Sequence, residues 1–149
     1  SPAAQNTAQW TAYADRVAEC ALAEAEIGPL RLATRSDAES IADDLIRRRA
    51  RHVTTENQRV RDFAVALGAS DFREAGRLMR EGHASLRDDF ETSTPVMDAA
   101  VAELDSLPGV HGSRMTGGGF GGCIVALAEP GAITDGWLVS PSAGARLLS

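Results

Sequence analysis

The chain has 149 residues, a formal net charge of -6 at pH 7, 44% hydrophobic residues and 24% charged residues. That length is enough to bury one sizeable core in a single domain, and the composition excludes a disordered chain. The acidity excludes general binding to nucleic acid or to an anionic membrane, and no apolar run reaches spanning length. Cys20 and Cys123 set no disulfide framework and fit a reducing compartment, so a cytoplasmic protein is expected. The chain opens on SPAAQNTAQW and its first methionine is Met79, which reads as a fragment of a longer polypeptide.

In chain order, the alanine-rich stretch from Thr7 to Ile27 predicts a helix that Gly28-Pro29 stops. Ser36 to Glu39, SDAE, has the spacing of a capping box and opens a second helical stretch that includes Ile41, Leu45 and Ile46. Val60, Phe63, Ala64 and Leu67 recur at helical spacing and predict an inward stripe, ended by Gly68. Asp71 with Glu74 starts another helix, with Phe72, Ala75, Leu78 and Met79 directed inward. Pro95 suits the first position of a further helix, which carries Met97, Ala100, Val101 and Leu104 on one face and closes at Leu107-Pro108-Gly109. The period then changes. VHGSRM, CIVALA and GWLV read as three short strands, so the chain is expected to be α+β, with helices on one face of a small antiparallel sheet.

The run RRRAR at Arg47–Arg51 reads as a solvated or salt-bridged helix face, with an anion site as the alternative. His52, His83 and His111 are scattered and show no metal-ligand spacing. Asp88-Asp89, beside Arg87, fit capping or ion-pair groups at a helix end, with acid/base or Mg²⁺ work as the alternative. The densest signal is TGGGFGG at Thr116–Gly122, where Gly117, Gly119 and Gly122 satisfy G-x-G-x-x-G. A dinucleotide loop would lead into a helix, and these glycines lead into a strand. A P-loop needs a lysine, and all 15 basic residues here are arginine. What remains is a strand–loop–strand whose glycines permit positive φ, either as a tight hairpin or edge pressed by a neighbour or as amides open to an anion.

RARHVTTENQRV, GRLMREGHASLRDDFETSTPVMD and PGVHGSRMTGGGFGGCIVAL, with YADRVAEC at Tyr13–Cys20, resemble in order the C-terminal half of galactokinases. Those belong to the GHMP family of small-molecule kinases. The resemblance implies a GHMP-kinase C-terminal domain, ferredoxin-like, over residues 1–149. It also implies ATP-dependent phosphorylation of galactose at the anomeric hydroxyl, with Mg²⁺. Thr116, Gly117, Gly118, Gly119, Phe120, Gly121 and Gly122 occupy the family's third motif, which lies against the phosphate loop of an N-terminal domain and shapes the nucleotide cleft. Tyr13 matches a tyrosine that contacts the sugar, and Arg16 an arginine of the same helix. Arg87, Asp88 and Asp89 match the SLRDD stretch as support near the cleft.

The family's sugar-recognition segment, serine-rich phosphate loop and catalytic aspartate have no counterpart in these residues, and neither has the strand that usually precedes the Tyr13 helix. No catalytic residue and no metal ligand is therefore expected here. The implied partners are galactose, ATP and an N-terminal kinase domain, with no nucleic acid and no membrane. Where the family carries a helix between CIVALAE and GWLVSPSAGA, only Pro130–Asp135 connect the two, implying an uncovered patch on the sheet. The competing expectation is a non-catalytic relative that binds a sugar, a nucleotide or a protein partner.

Overall fold

The computed structural model describes residues 2–140, with side chains from residue 11 onward. Five helices precede two strands: α1 (Pro2–Ile27), α2 (Arg35–Glu39), α3 (Asp44–Gly68), α4 (Phe72–Asp88), α5 (Pro95–Ser106), β1 (Val110–Thr116) and β2 (Cys123–Ala128). Local chemistry sets most of these bounds. Gly28 at φ 80° stops α1. The Asp71 side chain accepts from the Glu74 amide to open α4, and Thr94 caps α5 just before Pro95.

The second helical stretch differs from the expectation in two ways. Its capping box is Thr34 with Asp37, not Ser36 with Glu39: the Asp37 carboxylate accepts from the Thr34 amide at 2.7 Å, and Thr34 Oγ1 accepts from the Asp37 amide at 3.2 Å. The stretch also breaks after Glu39 and restarts at Asp44, because Asp43 supplies a new N-cap to the Ile46 amide. Ile41 lies in the break, where it is buried against Ala38, Ile46, Ala50, Ala23 and Leu30. This cluster welds α1, α2 and the first half of α3 together.

A second cluster joins Ala66, Ala75 and Leu78, with Phe63 and Leu127 packed against it, and seats α3 and α4 on the sheet. α4 runs along the outer edge of β1: the Met115 amide donates to His83, and Arg80 donates to the His111 carbonyl. The approach is close because both backbones carry glycine there. A Cβ on Gly76 would stand 1.9 Å from the His111 carbonyl oxygen, and one on Gly112 would stand 2.2 Å from that of Gly76. α5 packs on β1 through Ser113, which donates to Asp105 at 2.8 Å and to the Val101 carbonyl at 3.3 Å.

The sheet is antiparallel and two-stranded, from Thr116↔Cys123 to Val110↔Ala128 with one irregularity near Gly112. The fold is thus α+β, with helices packed against a small antiparallel sheet. The expected third strand does not form among the described residues. Trp137, Leu138 and Val139 are 93%, 98% and 72% exposed, because apolar β-formers make a strand only when a partner edge accepts their backbone. The SPSAGA stretch lies largely beyond Ser140, outside the described residues.

The stripe on α3 is also corrected. Phe63 is half-buried, but Val60, Ala64 and Leu67 are exposed, since this end of α3 has no layer over its outer side. Phe72 is exposed rather than inward and tilts against His111. An apolar groove of about 240 Å³ opens where Val60, Phe63, Leu78, Met79 and Val125 meet, rimmed by Glu56, Arg59 and Arg114.

Candidate functional site

The glycine loop closes the β1–β2 hairpin, and its backbone is almost wholly in conformations that L side chains resist. Gly117, Gly119, Gly121 and Gly122 have φ of 91°, 88°, 123° and 120°, and Phe120 joins them at 60°. A non-glycine residue in this region carries about 1–2 kcal/mol of strain, so something must hold Phe120 there. The Phe120 amide donates to the Thr92 carbonyl at 2.7 Å. At the same point a Cβ on Gly119 would come within 2.6 Å of the Thr92 Cβ and 2.8 Å of its carbonyl oxygen. Gly117 and Gly118 face the other way, with open space where side chains would be. One side of the loop is therefore pressed onto a neighbour, and the other presents bare backbone.

Thr92 belongs to the turn that ends α4. It is buried, and its amide donates to the Leu86 carbonyl at 2.9 Å. The last carbonyls of a helix have no partner within it, and the negative end of the helix dipole favours cations there. Arginines from α1 and α3 meet both needs. Arg48 donates to the Asp88 carbonyl at 3.2 Å, Arg49 to that of Asp89 at 2.6 Å, and Arg16 to those of Phe90 at 2.6 Å and Glu91 at 3.4 Å.

Arg49 is the centre of this brace. It is 1% exposed, and its other nitrogens donate to Glu19 and to Glu91, each at 2.6 Å. Arg48 takes the second Glu91 oxygen at 2.6 Å. Hydrogen bonds from Arg48 and Arg49 hold the Glu91 carboxyl down to about 2. They also offset the strain of Glu91, whose φ is 53°. RRRAR is thus a salt-bridged face, as expected, but not a solvated one at its centre.

A second layer lies beneath. Arg51 grips Glu39 with two nitrogens, at 2.6 and 2.9 Å, and donates to Asp89 at 3.1 Å. Asp89 also accepts from Ser85 at 3.2 Å, so the Ser85 oxygen accepts from His52 Nδ1 at 2.9 Å. That fixes the His52 tautomer with its proton on Nδ1. The ring stacks on Phe90 with centroids 4.4 Å apart, and burial lowers its pKa to about 4. His83 takes the opposite tautomer: its Nδ1 accepts from the Met115 amide, so Nε2 donates to Asp98 at 3.0 Å.

Among the residues singled out from sequence, Arg16 and Asp89 meet in this brace, and Thr116–Gly122 rest on it through Thr92. Tyr13 lies one turn before Arg16 on α1 and is 52% exposed. The side chains of Arg87 and Asp88 are not drawn in: they are exposed and pair with each other at 2.7 and 2.9 Å, and only the Asp88 carbonyl joins the brace. Sequence reasoning missed Arg48, Arg49, Glu91 and Thr92. Arg48 and Arg49 stood in a run that reads as surface, and nothing local links Thr92 to a loop 28 residues further on.

Among the described residues, no three His, Cys, Asp or Glu side chains gather so as to hold a metal ion. The Asp88 and Asp89 carboxylates are committed to Arg87, Arg51 and Ser85. No described helix is long and apolar enough to cross a membrane.

A helical frame thus holds a glycine-rich hairpin against a helix end. Residues 63–135 match the family described as GHMP kinases C terminal, and the helices packed on the antiparallel sheet form a GHMP-kinase C-terminal domain. Within that family it is similar to the C-terminal portion of galactokinases. It is 59% identical to galactokinase of Bos taurus over 85 residues, covering 57% of this chain and 22% of that protein. It is 48% identical to galactokinase of Mycobacterium tuberculosis (strain ATCC 25618 / H37Rv) over 120 residues, covering 77% of this chain and 33% of that protein. A crystal structure of Lactococcus lactis galactokinase complexed with galactose superposes with a TM-score of 0.75 at 33% identity, covering 78% of this chain and 33% of that one. The chain thus spans a third or less of the length of these relatives.

Proposed function

We propose that this chain supplies the C-terminal part of a galactokinase-like enzyme that transfers the γ-phosphate of ATP to the anomeric hydroxyl of galactose. The observation that carries the proposal is the braced loop. One side of Gly119–Phe120 is locked to Thr92, while Gly117 and Gly118 leave backbone open to whatever approaches. That is the form of a rigid wall for a nucleotide cleft whose opposite wall is an N-terminal kinase domain.

In this reading Thr116–Gly122 line the cleft, and Tyr13, exposed on α1, contacts the sugar. Arg16 and Asp89 support the wall from behind, and Arg87 and Asp88 form an outer ion pair at its margin. Phosphoryl transfer rests on positioning and on charge stabilisation at the transferring group. Among the described residues no three carboxylate, His or Cys groups gather for a metal, and in this reading the Mg²⁺ that accompanies ATP is held by the N-terminal kinase domain. The isolated chain is inactive and binds neither ATP nor galactose tightly, and the complete enzyme works in the cytoplasm.

The test is reconstitution. The chain is mixed with a separately folded N-terminal half of a galactokinase, and galactose-dependent ADP release is assayed. Release only when both halves are present is expected; no release, with both halves folded, contradicts the proposal. A second reading, a non-catalytic module that binds a sugar or protein partner, draws on the open groove at Val60, Phe63 and Val125. Calorimetry with galactose and with Mg²⁺-ATP on the chain alone separates the two, since the first reading expects no tight binding of either.

A further inference from the structure

Most arginines of this protein donate to a carboxylate or a backbone carbonyl. Among those with described side chains, Arg31, Arg35, Arg61 and Arg73 make no such hydrogen bond. Arg31 and Arg73 have no partner, Arg61 reaches only the Gln58 amide oxygen at 2.9 Å, and Arg35 stands 3.7 Å from a Glu39 already gripped by Arg51. Three of these four line one cleft of about 520 Å³, between the turn after α1, the middle of α3 and α4. Arg59 and Arg77 line it too, although their donors are taken by Glu56 and by Glu74 and Glu81.

The charge balance of the cleft runs against that of the chain. Five arginines face it and only two carboxylates, Asp62 and Glu81, in a protein whose net charge is -6. Glu81 is held by Arg77, and Asp62 accepts from the Gln58 amide at 2.8 Å. Protein-wide charge repels anions, so attraction here is local and comes from the unpartnered Arg31, with Arg61 held only by a neutral amide and Arg35 by one distant carboxylate. The uncharged polar lining is already satisfied: Thr55 donates to the Arg51 carbonyl at 2.7 Å and Asn57 to that of Leu30 at 3.3 Å. Recognition therefore falls to planar, multiply donating cations, whose geometry matches phosphoryl oxygens. The volume is within the range of small-molecule sites.

We infer that this cleft binds a small phosphate-bearing anion carrying more than one negative charge, held by Arg31, Arg61 and Arg35. The site shares no residue with the glycine loop or its brace and does not depend on the kinase reading. Guanidiniums on separate elements are drawn together by the ligand, so binding also ties the turn after α1 to α3.

The probe is inorganic pyrophosphate, titrated calorimetrically into the full chain at low salt. Single variants R31Q and R61Q remove cleft donors, and R73Q is the charge-matched control outside the lining. One-to-one binding with a dissociation constant below about 1 mM is expected, weakened at least about fivefold by R31Q and by R61Q and less than about twofold by R73Q. None of these arginines carries a structural ion pair, so the variants fold as the parent does. Absence of saturable binding in the parent chain overturns the inference, and so does R73Q weakening binding as much as R31Q.

Discussion

The two ends of α3 face opposite situations. At its N-terminal half Arg48, Arg49 and Arg51 enter a dense set of charge-assisted bonds that fixes the end of α4. At its C-terminal half Val60 and Leu67 look outward, and an apolar groove lies open against β2. The helix is regular throughout, so helix formation does not decide which half is braced by ion pairs. What decides it is whether another element supplies partners. The glycine loop belongs with the braced half, and through Thr92 it rests on that brace.

The contrast can be broken most severely at Arg49. Arg49→Ala would take one of two arginine partners from each of Glu19 and Glu91, leaving Arg16 and Arg48, and strip a donor from the α4 end, at a cost of about 2–3 kcal/mol. A urea titration should show the loss, and Arg49→Lys should recover only part of it, because one ammonium cannot serve three separated acceptors.

Acid should weaken the same half. The folded pKa of His52 lies at about 4, below the ordinary 6.5, so above 6.5 both states are neutral and stability is full. As pH falls from 6.5 toward 4 the unfolded chain binds a proton that the folded one refuses, and up to about 3 kcal/mol is lost. Urea midpoints across that range should slope less in His52→Asn, which keeps a donor toward Ser85 but does not titrate.

Within the loop, Gly119→Ala meets both the positive φ and Thr92 and should cost about 2 kcal/mol. Gly118→Ala has space and no φ constraint, and should stay within about 0.5 kcal/mol. Equal thermal shifts for the two would mean that Thr92 does not clamp the loop. At the open end, Val60→Ser should change stability by less than about 0.5 kcal/mol, because that side chain is exposed. A loss of 2 kcal/mol there would reveal a cover over the groove.

Much of the frame was legible because its signals are local. Asp71 caps α4, Pro95 opens α5 and CIVALA is β2 with the bounds read from sequence. The capping box at Thr34–Asp37 and the restart at Asp43 were missed within a local signal, but the other failures share one cause, which is that the deciding partner is remote. Val60, Ala64 and Leu67 have a helical period but no layer to meet, and Trp137–Val139 have β propensity but no edge to join. Arg49 is read as surface because its type is usually exposed, yet acceptors from α1 and the α4 turn make its burial affordable. The glycines themselves were readable as a strand–loop–strand. That Gly119 is required by Thr92, while a Cβ on Gly118 would meet nothing among the described residues, was not.

The central claim is that the arginine brace holds the glycine loop through the bond from the Phe120 amide to Thr92. Hydrogen exchange at the Phe120 amide, followed in the parent chain and in Glu91→Gln, tests it most directly. The account expects Phe120 to be protected in the parent and to exchange at least about tenfold faster in Glu91→Gln, beyond any loss of global stability. A Phe120 amide that exchanges freely in the parent, or one unaffected by Glu91→Gln, would contradict it.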